Sequence, residues 1–210
     1  VRPGANAIDV GANHGYYTML MADLAGADGR VAAVEPNPDI CRLLRRTVAI
    51  NGFSDRVVVL EMAAGDTDGQ SLRLGLPAQE SKNAYVFSPT GARPPEERSV
   101  AIRGDRLDTV LADWDRLDFV KIDVEGAEEA AVGGLFRLLE RHLPMLVLEF
   151  NPARCSAPAA LLDRLADLYG SMQHIDFDGE AHPTDRSALL DLNRREDWLL
   201  YFSSRPSGTP

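Results

Sequence analysis

Asp9, Gly11, Asn13 and Gly15 fall in one short stretch, "AIDVGANHGYY", and Glu35 stands about 20 residues past Gly15, the separation at which a carboxylate meets ribose hydroxyls beside a glycine-turn nucleotide loop. Glycines there let backbone approach a ligand, and the start of a following helix offers unpaired N–H donors. The chemistry indicated is nucleoside binding. A dinucleotide loop needs G-x-G-x-x-G so that backbone can touch a pyrophosphate, but Asn13 stands where the second glycine would be. Asp9 would also repel a diphosphate, whereas it would attract the ammonium or sulfonium of S-adenosylmethionine. A second group lies in "FVKIDVEGAEE". Lys121, inside an apolar run, needs a partner to be tolerated there, and Asp123, two positions on and on the same strand face, is the nearest candidate.

These residues need strands to end beneath them and helices to begin above them. Continuous apolar runs at Ala7 to Val10, Val31 to Val34, Val57 to Leu60, Phe119 to Ile122 and Met145 to Phe150 read as strands covered on both faces. Helical patterns lie between them at Tyr16 to Leu24, Asp39 to Ile50 and Ala127 to His142, the last with its apolar residues on one stripe. Asn37-Pro38 suits a helix start and Asn51-Gly52 a helix stop. This alternation predicts right-handed crossovers and an α/β, doubly wound, mostly parallel sheet. Residues 67–103 break the pattern, with turn signals at Asp68-Gly69 and Pro94-Pro95 and short runs at Leu72 to Leu76 and Val100 to Arg103. They read as a β insertion before the fourth core strand, with Gln79 to Asn83 and Pro89 to Arg98 as loop. A helix at Leu161 to Tyr169 and strands at Met172 to Phe177 and Trp198 to Ser203 close the domain, and Pro206 to Pro210 is a tail.

The chain has 210 residues, 45% hydrophobic and 26% charged, which suits one globular domain over 1–210. No apolar run approaches a membrane span. A net charge of -10 argues against a broad nucleic-acid surface, which needs clustered Lys and Arg. Two cysteines, Cys41 and Cys155, form neither a disulfide framework nor a metal-finger spacing, so a reducing, cytoplasmic setting is expected. The chain starts at Val1 and enters its first strand within a few residues, and is expected to be a piece of a longer one, with a possible module fused upstream.

In order along the chain, "IDVGANHGYYT", "VEPNP", "NGF", "AAGD", "LDTVL", "FVKIDVEGAEEAAVGG" and "LEFNP" resemble the FkbM-type methyltransferases, a family of the class I, Rossmann-like, S-adenosylmethionine-dependent group. The resemblance covers nearly the whole chain, and the run from Lys121 to Glu128 carries it most specifically. It implies a seven-stranded sheet with an antiparallel last strand, in keeping with the strand read at Trp198 to Ser203. It also implies O-methyl transfer to a sugar or secondary-metabolite hydroxyl, such as a glycoside or polyketide. Carried over by position, Asp9, Gly11, Asn13 and Gly15 would hold the methionine part of S-adenosylmethionine, Glu35 its ribose and Asn37 the adjoining wall. Ala64 and Asp66 would border the adenine, and Asp123 would face the reacting methyl. Asn37 serves equally as a plain helix cap. Glu125 and Glu128 would open the next helix, where their charge also suits the helix dipole. His14, Tyr16 and Tyr17 are read as packing beside the cofactor, Cys41 as core, and His142, His174 and His182 are assigned no role.

An acceptor hydroxyl must lose its proton, to a side-chain base or by coordination to a divalent metal. The base reading pairs Lys121 with Asp123 beside the acceptor and lets Glu149 close the pocket. The metal reading makes Asp123, Glu149 and Asn151 oxygen ligands of Mg²⁺ or Ca²⁺. Metal independence is favoured because the strand lysine would compete with a cation for the same carboxylate. Two other functions stay open: a nucleotide-dependent oxidoreductase, and a catalytically silent module that binds the cofactor.

Overall fold

The computed structural model describes residues 1–76, 85–87, 98–192 and 197–204. The expected loop at Gln79 to Asn83, most of that at Pro89 to Arg98, the Pro94-Pro95 turn and the tail at Pro206 to Pro210 lie outside them. Along the chain come β1 (Asn6–Val10), α1 (Tyr16–Ala25), β2 (Arg30–Glu35), α2 (Pro38–Ile50), β3 (Val57–Glu61), β4 (Ala63–Ala64), β5 (Gln70–Leu76), β6 (Tyr85–Phe87) and β7 (Arg98–Asp105). There follow α3 (Leu107–Val110), β8 (Phe119–Ile122), α4 (Glu128–His142), β9 (Met145–Phe150), α5 (Pro158–Tyr169), β10 (Gln173–Ile175), β11 (Ala181–Pro183), α6 (Arg186–Leu189) and β12 (Trp198–Phe202).

The main sheet runs β11-β10-β12-β9-β8-β1-β2-β3. Its five successive strands β9-β8-β1-β2-β3, which run out to the β3 edge, are parallel, and β12 is antiparallel to β9, as expected. The sheet has eight strands rather than seven. The extra one, β11, folds back on β10 as a hairpin whose turn places Gly179 at φ 80; its three residues are too short and too exposed to leave an apolar period in the sequence. The short helices α3 and α6 escape a period-based reading for the same reason.

The insertion joins β4, which precedes it, in a second sheet, β4-β7-β5-β6, with β7 reaching Asp105 beyond the expected limit. It is tied down where Gly69 N–H donates to Asp105 Oδ1 (2.8 Å).

Alternation along the strands separates two faces. Ile8, Val10, Val120, Ile122, Leu146 and Leu148 join the large core that includes Leu135 and Leu139 of α4. On the opposite face Ala7 and Val31 pack with Met21 and Ala22 of α1, and Ala33 with Leu44 and Val48 of α2. Asp9 and Lys121 share that second face and are register partners across β1 and β8. The chain runs outward from β1 through β2 to β3, then returns on the other side of β1 as β8, so strand order reverses there and a crevice opens beyond the strands' carboxyl ends. No helix among the described residues is long and apolar enough to cross a membrane.

Candidate active site

The β1–α1 loop forms one wall of that crevice. Gly11 (φ 80), Asn13 (φ 48) and Gly15 (φ 91) all adopt left-handed backbone, the region open to glycine and next most readily to asparagine. Asn13 therefore fills the place of a second glycine without changing the turn. The glycines are demanded by the fold as well: a Cβ on Gly11 would sit 1.8 Å from the Asp123 carbonyl oxygen, and one on Gly15 would sit 2.3 Å from a Leu44 methyl. Close approach of backbone to a ligand is thus only part of their purpose. Gly15 leads into α1 with no side-chain cap, so first-turn N–H groups remain for an anionic group such as a carboxylate.

Glu35, at the end of β2, joins two loops. Its Oε2 accepts the Asn13 N–H (2.9 Å) and its Oε1 the Asn37 N–H (2.8 Å). Burial raises its pKa, against the lowering effect of those two hydrogen bonds. A carboxylate has about four acceptor positions, so each oxygen keeps one for a ribose hydroxyl. Asn37 caps α2 by accepting the Asp39 N–H (3.0 Å) and also lines the crevice.

The cavity encloses about 340 Å³, within the range of small-molecule sites. Gly11, Asn13, Glu35, Asn37, Ala64, Lys121 and Asp123 line it, together with His14, Tyr16 and Tyr17. Asp9, Gly15, Asp66, Glu149 and Asn151 do not. Asp66 is exposed and borders a separate shallow groove with Arg106 and Glu129, because β4 ends at Ala64 and the chain turns away at Gly65. Sequence reasoning missed Ile40, Met62, Leu74 and Val86, and named Glu125 only as an opener of the next helix, between dipole and chemical roles. The first four are apolar residues of ordinary core type, and nothing in their spacing separates wall from core.

Across β1 from Glu35 stands a charged group. Lys121 Nζ lies 3.0 Å from Asp123 Oδ2 and 3.7 Å from Asp9 Oδ1, and 4.8 Å from the centre of the Tyr17 ring. Thr18 Oγ1 donates to Asp9 Oδ2 (2.6 Å). Tyr17 meets Tyr16 edge-to-face (5.1 Å), and Tyr16 is 78% exposed at the cavity mouth. Asp123, Glu125 and Glu149 bring carboxylate oxygens within 4.8 Å of one another. Burial, then the charges of Asp123 and Asp197, push Glu149 up to about 8.

Asn151 lies among other partners: its Nδ2 donates to Asp197 (2.7 Å) and its Oδ1 accepts the Ala153 N–H (3.0 Å), while Glu125 joins Asp123 and Glu149 in the carboxylate cluster. Glu125 is held in left-handed backbone (φ 47) and paired with Arg154, which also holds Asp197. Glu128 is 2% exposed and accepts the Gly126 N–H (2.9 Å), bracing the same turn.

A family model described as "Methyltransferase FkbM domain" matches residues 9–175. Among solved structures, an FkbM methyltransferase from Methylobacillus flagellatus superposes with a TM-score of 0.59 at 20% identity, over 96% of this chain and 44% of that one. Fibrillarin from Aeropyrum pernix, crystallised with natively bound S-adenosylmethionine, gives 0.52 at 14% identity over 96% and 67%. A protein-L-isoaspartate O-methyltransferase of Aeropyrum pernix is 30% identical over 95 residues, 45% of this chain and 34% of its own length. The antimetabolite synthetase AmbE of Pseudomonas aeruginosa is 26% identical across 88% of this chain and 10% of its own length. The chain therefore spans about a third or less of these curated relatives.

Proposed function

The chain belongs to the FkbM family of S-adenosylmethionine-dependent methyltransferase domains, and from that premise we propose that it methylates a hydroxyl oxygen of a sugar or secondary-metabolite acceptor. One observation carries the oxygen assignment: the carboxylate of Asp123, gripped by the Lys121 ammonium at 3.0 Å, lines the cavity at the end away from the ribose carboxylate. A carboxylate so placed can accept the hydroxyl proton as the oxygen attacks, a contribution of about 100- to 10,000-fold.

The residues present fit the cofactor. Glu35 keeps acceptor positions for two ribose hydroxyls, Ile40, Met62 and Ala64 provide an apolar wall for adenine, and the uncapped start of α1 offers N–H donors to the methionine carboxylate. When bound, the cofactor supplies an electrophilic methyl on a sulfonium. The chain's own part is to hold the acceptor oxygen in line with that methyl, to take its proton at Asp123, and to narrow the mouth with Tyr16 and Tyr17. Leu74 and Val86 bring the insertion to the cavity wall, which supports a share for residues 67–103 in acceptor choice. The net charge of -10 favours a neutral, hydroxyl-rich acceptor over a polyanion such as nucleic acid.

Calorimetry with S-adenosylhomocysteine and mass spectrometry of labelled-cofactor incubations test this reading. Micromolar cofactor binding with label recovered as an O-methyl product is expected. Binding of NAD in place of S-adenosylhomocysteine would move the protein to the oxidoreductases. Binding without turnover over a broad acceptor panel would leave a silent module, and methyl label recovered on nitrogen or carbon would overturn the oxygen assignment.

A further inference from the structure

We propose that Asp9 is a positioning residue rather than a cofactor ligand: anchored by Thr18, it fixes the Lys121 ammonium, and through it the carboxylate of Asp123. The inference rests on the methyl-transfer reading of the site and reassigns the residue that resemblance places against the methionine part.

Asp9 is 1% exposed and its side chain does not line the cavity. Its direction is set by the sheet. Val10 and Ile8 face the large core, so Asp9 faces α1, as does its register partner Lys121 on the adjacent parallel strand. Thr18, one turn into α1, reaches down to Asp9 Oδ2 at 2.6 Å. Asp9 Oδ1 is buried with no hydrogen-bond donor among the described residues, and Lys121 Nζ lies 3.7 Å from it. A carboxylate this deep is costly unless a counter-charge compensates it. Burial pushes its pKa up while Lys121 pulls it down, which agrees with a carboxylate whose chief compensation is that lysine.

Lys121 itself is 7% exposed. Its flexible four-carbon stem would leave the ammonium free to swing among several directions. Asp9 behind it, the Tyr17 ring at 4.8 Å and Asp123 in front limit it to one. With Nζ fixed, one oxygen of Asp123 is fixed at 3.0 Å, and so is the direction in which the other is presented. Thr18, Asp9, Lys121 and Asp123 thus form a line from the helix that begins at the cofactor loop to the base at the acceptor end.

The chain contains two lysines, Lys82 and Lys121, so protein labelled with ¹⁵N only in lysine gives two side-chain ammonium signals, and Lys121→Arg identifies each. Asp9→Asn and Thr18→Val are compared with wild type by that signal, by calorimetry with S-adenosylhomocysteine, and by label transfer from the cofactor into a small-molecule extract of the native cells. The Lys121 signal is expected to move or broaden in both variants while S-adenosylhomocysteine affinity stays within about threefold. Transfer at saturating cofactor is expected to fall about 10- to 100-fold in Asp9→Asn, the scale of a misplaced catalytic group. A tenfold or greater loss of S-adenosylhomocysteine affinity with the Lys121 signal unmoved would make Asp9 a cofactor ligand and overturn the proposal, as would unchanged transfer. If Asp9→Asn does not fold, an unmoved Lys121 signal in Thr18→Val overturns the anchoring line by itself. Wild-type protein that fails to bind S-adenosylhomocysteine would overturn the cofactor reading instead, and the Lys121 signal would still report the Asp9 contact.

Discussion

In the proposed reading Glu35 holds the cofactor and Asp123 takes the proton, and their variants should separate accordingly. Glu35→Ala removes acceptors for ribose hydroxyls and also leaves the Asn13 and Asn37 N–H groups without their partner. Hydrogen bonds to a charged group contribute about 1.5–3 kcal/mol, so S-adenosylhomocysteine affinity should fall at least about tenfold by calorimetry. Asp123→Asn keeps the shape but removes the base. Turnover should drop about 100-fold or more with cofactor affinity within about threefold; equal losses in both would make Asp123 chiefly a cofactor ligand. Asp123 and Glu125 already carry Lys121 and Arg154, cations that a divalent metal would have to displace. Methyl transfer should therefore survive EDTA, and loss restored by Mg²⁺ would turn Asp123, Glu125 and Glu149 into metal ligands.

At the level of elements, the site depends on close backbone contacts that only glycine allows. In α4 the neighbouring glycines Gly133 and Gly134 make the point by contrast. Glycine inside a helix is worse than alanine by about 1 kcal/mol, so propensity alone predicts that either Gly→Ala change stabilises. A Cβ on Gly134 would lie 1.8 Å from the Gly65 carbonyl oxygen, whereas one on Gly133 would meet only Asp66 Cβ, at 3.5 Å. Gly134→Ala should therefore lower the melting temperature, with overpacking costing about 1–3 kcal/mol, and Gly133→Ala should leave it level or raise it. The same displacement would move the turn after β4, and with it Ala64 at the cavity wall, so Gly134→Ala should also weaken S-adenosylhomocysteine binding. A melting temperature raised by Gly134→Ala would show that α4 and that turn are not in such contact.

For the molecule as a whole, the buried and half-buried carboxylates set a pH dependence. Glu149 titrates at about 8 in the fold against its ordinary 4.5, so between those values the folded state binds the proton more tightly than the unfolded chain. Its stabilising contribution is complete below 4.5 and is lost as pH rises towards 8. Burial raises Asp9, Glu35 and Glu128 as well, which adds to the slope in the same sense. The exposed carboxylates that are lowered, such as Asp178 and Asp185, act at more acid pH. Thermal melts should accordingly show stability declining from pH 5 to pH 8, and Glu149→Gln should flatten the decline. A variant whose pH profile matches wild type would place the slope on other groups.

The run of apolar strands, the helix between each pair, the glycine loop and the Glu35 that follows it were legible in the sequence because each depends on local periodicity or on a fixed spacing along the chain. That was enough for the parallel sheet, the crevice beyond its carboxyl ends and the Lys121–Asp123 pair, whose members stand two positions apart at the end of β8. It could not supply the partners that lie across strands. That Asp9 faces Lys121 follows from the register of β1 against β8, that Glu125 comes beside Asp123 and Glu149 follows from a left-handed turn and Arg154, and that Asp66 misses the cavity follows from where β4 stops. Ile40, Met62, Leu74 and Val86 became cavity wall only because α2, the bend between β3 and β4, β5 and β6 converge there. Hydrophobic patterning tells which side of an element is buried, but register and convergence are fixed by long-range packing, and those alone decide which buried side chain faces a ligand and which faces another residue.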